Sequence, residues 1–343
     1  MGRRRTHNHH LPPRVYQNRG WLFYVAQDGS WHKLGREWDR AAKDRWVELT
    51  TGHAPEGTVS ELLDSYIKHA ENMVRQGKRS SRTLESNMAE VDMLKLVFGR
   101  SLYTSITSKH VATYLRQRVD KKRNPAPIRA NREISLLSSA YSWAMGEDRY
   151  NITTNPCYGV RRNTEKPRTR YVETEELRRF VKDYAPRWLR CYVLLKRMTA
   201  MRQGDMLKIT DASLTDRGIA FTTGKTGRRV IVRWSWGLRS VVNVAQALRP
   251  ALPENVKPLS PRPLFLSRFG TAMSSHGFKT AWQRAMQAYA QDGYSRFWEH
   301  DVRAKTASDM EDITSAQSLL GHESPTTTKR HYRRAPTKVR PLR

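Results

Sequence analysis

Cysteine and long apolar runs are both scarce in this sequence. Of its 343 residues only Cys157 and Cys191 are cysteines, too few for a disulfide framework and typical of a reducing compartment. No apolar run approaches the roughly 20 residues that a membrane-spanning helix needs. No apolar segment follows the charged stretch of residues 1–10, so we expect no secretory signal. These absences exclude a disulfide-stapled secreted domain and a membrane-spanning protein, and they favour the cytoplasm.

Acidic residues are also few. The chain has 32 Asp and Glu residues against 62 Lys and Arg, which gives a formal net charge of +30. A charge of this size predicts binding to a polyanion. An anionic membrane surface is the alternative to nucleic acid, but membrane-binding proteins usually concentrate their charge on one amphipathic helix. Here the basic residues run along the whole chain, which favours DNA or RNA.

The length predicts two or three domains. In residues 1–56, two short aromatic-rich runs flank the Asp28-Gly29 dipeptide, a pattern typical of a β-hairpin because type I′ turns need positive φ. Helical periodicity follows from about Trp38 to Leu49. We therefore predict a small N-terminal β-sheet plus one helix.

Residues 57–160 have the apolar periodicity of four helices. The first of these is preceded by Thr58, with Glu61 three residues later, a capping-box pattern. Residues 161–170 lack apolar periodicity, contain proline and are half cationic, with five Lys or Arg among ten residues, which indicates a basic linker. From Tyr171 to the end at residue 343 the pattern is helical with one strand-like hairpin. The fold class is therefore multidomain and mainly α with small β elements, ending in a mixed α+β domain.

Several residues of this last domain could carry chemistry on a phosphodiester. Arg202 follows an apolar helix, Lys225 lies in the turn of the hairpin, and His300 and Arg303 share one helical face by their spacing. A Gly-His dipeptide at His322 and a tyrosine at Tyr332 follow. Each residue alone is more often an exposed cation, a helix terminus or a core side chain, so the argument depends on their order.

That order resembles the tyrosine recombinase (phage integrase) family over residues 171–334. The resemblance implies a catalytic domain in which six residues act on DNA: Arg202, Lys225, His300, Arg303, His322 and Tyr332. It also implies that Asp205 occupies the position of a supporting carboxylate. Two departures from the family pattern stand out. Tyr332 lies ten residues after His322 where nine is common, and Ala304 replaces a bulkier residue.

The chemistry of these side chains agrees with the roles that the resemblance implies. Two guanidiniums, Arg202 and Arg303, can clamp the phosphate oxygens bidentately and stabilise the transition state. Lys225 is the candidate general acid for the departing 5′-oxygen. A phenol has an ordinary pKa of about 10, so the proton of Tyr332 must be accepted as it attacks, and His300 is the first choice. His322 would then contact the phosphate or the tyrosine, but the division of roles between the histidines stays open.

No acidic triad with metal-ligand spacing and no P-loop pattern occurs in the sequence. We therefore predict no metal site and no cofactor, activity in EDTA, and rejoining without ATP.

The N-terminal segment resembles the arm-binding domain of lambda-type integrases, in which a basic tail precedes a small sheet. The alternative is an ordinary basic tail on an uncommitted hairpin. Residues 57–160 resemble the family's core-binding domain. The cations we predict to contact DNA lie in the tail and in the linker: Arg3, Arg4, Arg5, Arg161, Arg162, Lys166, Arg168 and Arg170.

These features together predict a phage or prophage integrase, a site-specific recombinase that acts through a 3′-phosphotyrosyl intermediate. Its expected partners are double-stranded DNA with core-type and arm-type sites, three further copies in a homotetramer on DNA, a DNA-bending protein and a directionality factor. We expect it in the cytoplasm of a bacterial host, at the nucleoid when acting, and not at a membrane. The alternatives are a chromosome-resolving recombinase, an enzyme like type IB topoisomerases, or a non-catalytic DNA-binding protein on the same scaffold.

Overall fold

The computed structural model describes residues 11–51, 57–224, 226–251, 260–321 and 324–336. The chain divides into two compact units, Met1–Glu165 and Lys166–Arg343. The division falls inside the predicted basic linker, of which the described backbone forms neither helix nor strand. The boundary between residues 56 and 57 stays a prediction, since residues 52–56 lie outside the described residues.

The first unit begins with the predicted sheet and helix. Three antiparallel strands in the order β1-β2-β3 are followed by one helix: β1 Val15–Asn18, β2 Trp21–Val25, β3 Trp31–Gly35 and α1 Arg40–Thr51. Gly29 has a φ of 84° in the turn between β2 and β3, the positive value that the Asp28-Gly29 dipeptide predicts. Leu22, Tyr24 and Leu34 alternate toward a small core beneath the sheet.

Four helices follow and enclose a second core, as the periodicity predicts: α2 Val59–Arg75, α3 Ser81–Phe98, α4 Ser108–Gln117 and α5 Pro127–Ala144. The Thr58 hydroxyl accepts from the Glu61 amide at the start of α2, which satisfies one of the unpaired donors of a helix N-terminus. Inside this core Glu133 is buried and paired with Arg118 at 2.8 Å, because a buried charge needs a partner.

The second unit is a mixed α+β domain. Its elements are α6 Thr174–Arg179, α7 Arg187–Thr199, α8 Gln203–Met206, β4 Leu214–Thr215, β5 Gly218–Thr222, β6 Arg229–Arg233, α9 Trp236–Ala247, α10 Ser275–Gln291, α11 Glu299–Asp309, α12 Ile313–Leu320 and α13 Pro325–His331. One π-helical turn, Phe180–Tyr184, continues α6. The strands form one antiparallel sheet in the order β4-β5-β6. The multidomain, mainly α fold class is thereby confirmed, and none of the helices among the described residues has the length and apolarity to cross a membrane.

Aromatic packing holds α7 and α10 of this unit together. Tyr192 on α7 and Phe278 on α10 are fully buried, with ring centroids 4.3 Å apart. Phe180 packs edge-on against Tyr289 and Phe297 in the same core. Aromatic pairs of this kind stabilise a core beyond the area that they bury, so the core gives α7 and α11 a rigid base.

Candidate active site

Arg202 lies directly after a sharp change in chain direction. Helix α7 ends at Thr199, and Ala200 takes the left-handed conformation with a φ of 50°. Arg202 then precedes the short helix α8 in extended conformation. An alanine at positive φ is strained by its Cβ, so the surrounding contacts must fix this turn. One of those contacts comes from Lys196, whose Nζ donates to the Met201 carbonyl at 2.8 Å.

Arg303 is buried beneath this turn. It is 1% exposed and donates to the carbonyl oxygens of Ala200 and, at 2.7 Å, Leu320. It therefore joins α11 to the turn before Arg202 and to the end of α12. Burial lowers the pKa of the Arg303 guanidinium, and Arg202 lowers it further. Burial is the main cause of this shift and Tyr332 opposes it, while the smaller effect of Arg202 is the repulsion expected between two nearby cations.

Tyr332 ends helix α13 and reaches across to α11. Its hydroxyl lies 3.1 Å from Nε2 of His300, and its ring centroid is 5.5 Å from the guanidinium carbon of Arg303. The ten-residue spacing after His322 therefore brings the phenol to the predicted histidine. A phenol hydrogen-bonded to an imidazole and facing a guanidinium has the geometry of an activated nucleophile.

The pKa of His300 is shifted by its burial and by the charged side chains around it. Its pKa is lowered to about 4 by burial first, then by Lys196, Arg303 and Arg334, while Glu299 acts in the opposite direction. The residue is exposed at the edge of the site, so water weakens the effect of burial and the nearby cations add to it. A lowered pKa keeps His300 neutral near pH 7, the state in which it can accept a proton.

Asp205 connects the Arg202 turn with the β5–β6 hairpin. The residue is 7% exposed, and its Oδ1 accepts from the Gly224 amide at 2.9 Å. Arg202, Asp205 and Arg303 line one small cavity together with residues from the hairpin and from the end of α12. Thr223, two residues before Lys225, and Gly321, the residue before His322, also line this cavity. Lys225 and His322 themselves lie outside the described residues.

The cations predicted to contact DNA differ in their surroundings. Arg161 and Lys166 are exposed, whereas Arg162 is half-buried. Arg168 pairs with Asp301 at 2.9 Å, and Arg170 pairs with Glu176. Arg3, Arg4 and Arg5 lie outside the described residues. Whether any of these residues contacts DNA stays a prediction.

Two carboxylates next to the predicted histidine were missed by the sequence reasoning. Glu299 pairs with the fully buried Lys196 and accepts from the Tyr192 hydroxyl at 2.5 Å. Asp301 is 1% exposed and pairs with Arg334 at 2.6 Å. A lysine at a buried position of α7 was the available signal for the first pair, because lysine is almost never fully buried without a partner.

Comparison with known proteins identifies a family and solved structures that this chain resembles. Residues 168–338 match the phage integrase family. The whole chain is similar to a lambda integrase dimer bound to a COC′ core site, with a TM-score of 0.65, 22% identity and 99% of each chain covered. A lambda integrase tetramer bound to a Holliday junction gives the same values. The Tn1549 transposon integrase (residues 82–397 of that protein) in complex with circular intermediate DNA gives a TM-score of 0.63 at 15% identity, with 82% of this chain and 96% of that chain covered. No curated protein matches the chain.

Proposed function

The chain belongs to the phage integrase family through residues 168–338, whose members are DNA breaking-rejoining recombinases, and we propose that it integrates and excises a phage or prophage genome through a 3′-phosphotyrosyl intermediate. The observation that carries the proposal is the 3.1 Å contact between the Tyr332 hydroxyl and His300. It lies next to two converging guanidiniums, Arg202 and Arg303. A DNA-binding protein without catalysis has no need of this arrangement.

In the proposed reaction the Tyr332 oxygen attacks the scissile phosphorus and the bond to the 5′-oxygen breaks. His300 accepts the phenol proton, and Lys225 donates a proton to the departing 5′-oxygen. Arg202 and Arg303 stabilise the charge on the non-bridging oxygens. The products are a 3′-phosphotyrosyl link and a free 5′-hydroxyl. Attack by a 5′-hydroxyl reverses these steps, so rejoining needs no ATP.

Several contacts support this division of roles. Asp205 accepts from the amide of Gly224, the residue before Lys225 in the sequence, and this contact supports assigning the general acid to the β5–β6 hairpin. Arg303 is anchored on two carbonyls, so its guanidinium is preorganised, as electrostatic catalysis requires. His322 follows the left-handed Gly321 that ends α12, and we assign it a hydrogen bond to the phosphate.

The proposed role as a phage-type integrase, rather than a simpler recombinase, depends on the N-terminal sheet. We propose that this sheet binds arm-type DNA sites. Its surface offers exposed aromatic rings at Tyr16 and Trp31, and Lys33 Nζ lies 3.1 Å from the ring centroid of Trp21. A chromosome resolvase or a topoisomerase has no use for a second DNA-reading module. On DNA we propose a homotetramer, with a bending protein and a directionality factor as further partners.

A suicide substrate tests the catalytic proposal. A pool of random duplexes is first selected for binding, and the bound core sequence is rebuilt with a nick next to the cleavage position. We expect a covalent protein–DNA complex on a denaturing gel, formed equally in EDTA and absent in Tyr332→Phe. Tyr294→Phe is the matched control, because Tyr294 is the tyrosine nearest in sequence and packs against Tyr289 in the core. A complex that survives Tyr332→Phe would refute the assignment of the nucleophile.

Deletion of residues 1–56 tests the arm-binding proposal separately. The truncated protein should still cleave the nicked core duplex but should lose binding to the second class of selected duplexes. If both classes remain bound with unchanged affinity, the chain is better described as a resolvase or a topoisomerase-like enzyme.

A further inference from the structure

The chain after the candidate nucleophile packs back onto α11, the helix that carries His300 and Arg303. The Ser308 hydroxyl donates to the Tyr332 carbonyl at 2.7 Å and accepts from the Arg334 amide at 2.7 Å. One side chain of α11 therefore binds the backbone on both sides of the Tyr332–Arg334 segment. The backbone amide of Tyr332 is bound in turn by the Thr328 carbonyl of α13.

The side chain of Arg334 makes the second attachment to α11. Its Nη1 lies 2.6 Å from Oδ1 of Asp301, and the two side chains are 7% and 0% exposed. Arg334 also donates to the carbonyls of Arg170 and His331. An ion pair this well buried differs from exposed surface pairs, which contribute little. Arg334, two residues after Tyr332, is thus fixed in an internal contact.

Asp301 is built to receive this arginine. Its Oδ2 accepts from the Trp298 amide at 2.8 Å, which caps the start of α11, and from Arg168 at 2.9 Å. Asp301 is also the immediate neighbour of His300. The carboxylate that binds Arg334 and the candidate base therefore lie in the same turn of α11.

We propose that Asp301, Ser308 and Arg334, here called the tail clamp, are positioning residues that hold the Tyr332 hydroxyl against His300 for attack. The inference rests on the proposed function, because it assigns these residues to the attack of Tyr332. Tyr332 directly follows a helix of only seven residues, so the orientation of its side chain needs support from outside that helix. The tail clamp provides that support from the helix that carries the base.

The expected size of the effect follows from the geometry of attack. Reacting groups must be held within a few tenths of an ångström, and a misplacement of about 1 Å can cost about 100-fold in rate. Loss of the tail clamp frees the backbone around Tyr332 but leaves Arg202 and Arg303 in place. The cleavage rate should therefore fall about 10-fold to 100-fold, while DNA affinity changes less than about threefold.

Single-turnover cleavage of the nicked core duplex at saturating protein measures both quantities in the full-length chain. The variants are Asp301→Asn, which keeps an acceptor for the Trp298 amide, and Ser308→Ala, which removes only one hydroxyl. Ser308→Thr keeps the hydroxyl and should restore the rate. Asp211→Asn is the control, because it breaks a similar pair with Arg249 at 2.6 Å elsewhere in the same unit and should leave the rate unchanged.

A second substrate separates a defect in the attack of Tyr332 from a defect in the protonation of the leaving group. A bridging sulfur at the 5′ position leaves without protonation, so this substrate should restore cleavage in Lys225→Ala. It should not restore cleavage in Asp301→Asn or Ser308→Ala, because the attack of Tyr332 is still misdirected. Should Asp301→Asn fail to fold, as judged by its thermal melt, Ser308→Ala and Ser308→Thr carry the test.

The possible outcomes are distinct. If the unaltered protein forms no covalent complex, the proposed function fails. If it does, and Ser308→Ala cleaves at the unaltered rate, the tail clamp is overturned. Equal recovery of Ser308→Ala and Lys225→Ala on the sulfur substrate also overturns it, since the defect would then lie in leaving-group protonation.

Discussion

The protonation of His300 offers a direct physical test of the site. Its pKa is lowered to about 4 by burial and by the cations Lys196, Arg303 and Arg334, with Glu299 opposing them. We therefore expect the imidazole to titrate well below its ordinary value of about 6.5. At pH 5.5 an ordinary histidine is only about 9% neutral, whereas one with a pKa of 4 is about 97% neutral.

The lowered pKa of His300 predicts how catalysis depends on pH. A general base must be neutral, and kcat/KM reports the pKa values of the free enzyme. Between pH 7.5 and 5.5 the His300 contribution to kcat/KM should be almost flat, whereas an unshifted histidine would lower it about 10-fold. Titration of the ring by NMR without DNA, assigned with His300→Gln, measures the midpoint directly. A midpoint at 6.5 or above would refute the electrostatic reasoning.

The lysine–glutamate pair next to His300 allows a control within the same experiment. Lys196→Met removes a cation and leaves the Glu299 carboxylate unpaired, so the pKa of His300 should rise. In Lys196→Met/Glu299→Gln the two charges disappear together, and the midpoint should move much less. A shift of equal size in both variants would mean that altered packing, and not charge, sets the pKa.

Three predictions concern stability and are each measured by urea unfolding of the full-length chain. Lys196→Met should lower the free energy of unfolding by about 3–5 kcal/mol because it leaves Glu299 unpaired, while Lys196→Met/Glu299→Gln should cost much less. Arg303→Met should lower it by about 1–3 kcal/mol, because it leaves two buried carbonyls without their donor; an unchanged midpoint would contradict this. Gly218→Ala should destabilise by at least about 1–3 kcal/mol, because a Cβ there would lie 2.1 Å from the Val232 carbonyl oxygen and φ is 150°; a tolerated alanine would show that the hairpin can shift.

Local patterns explain why much of the fold could be predicted from the sequence. Asp28-Gly29 predicts a hairpin, and the structure has one with Gly29 at positive φ, but Asp28 is not at positive φ and the turn is therefore not the type I′ turn that the dipeptide predicts. Thr58 and Glu61 specify the start of a helix through one hydrogen bond over three residues. Signals of this kind need no knowledge of distant parts of the chain. The order of Arg202, His300, Arg303 and Tyr332 likewise identified a site, although their contacts could only be inferred.

The contacts that the sequence could not predict join residues far apart in the chain. Lys196 and Glu299 are separated by about a hundred residues, and Arg168 and Asp301 by even more. The positive charge of the linker predicts that Arg168 contacts DNA. The sequence does not show that Asp301 of α11 lies opposite Arg168. The ten-residue spacing between His322 and Tyr332 likewise does not reveal where the phenol lies. Only the structure shows that the Tyr332 hydroxyl contacts His300.

The placement of carboxylates resolves an apparent contradiction in a site that must attract a phosphate. Three acidic residues lie within a few residues of the catalytic cations, and each would repel the phosphate if its charge were unopposed. Glu299 is instead neutralised by Lys196 and Asp301 by Arg334, whereas Asp205 accepts from a backbone amide and acts electrostatically on Arg303 itself. Lys196 and Arg334, which neutralise these two carboxylates, are not the cations that we assign to the phosphate, Arg202 and Arg303. The acidic residues can therefore fix the geometry of the site without cancelling the positive charge that catalysis needs, which is why loss of Lys196 or Arg334 should reduce cleavage more than DNA binding.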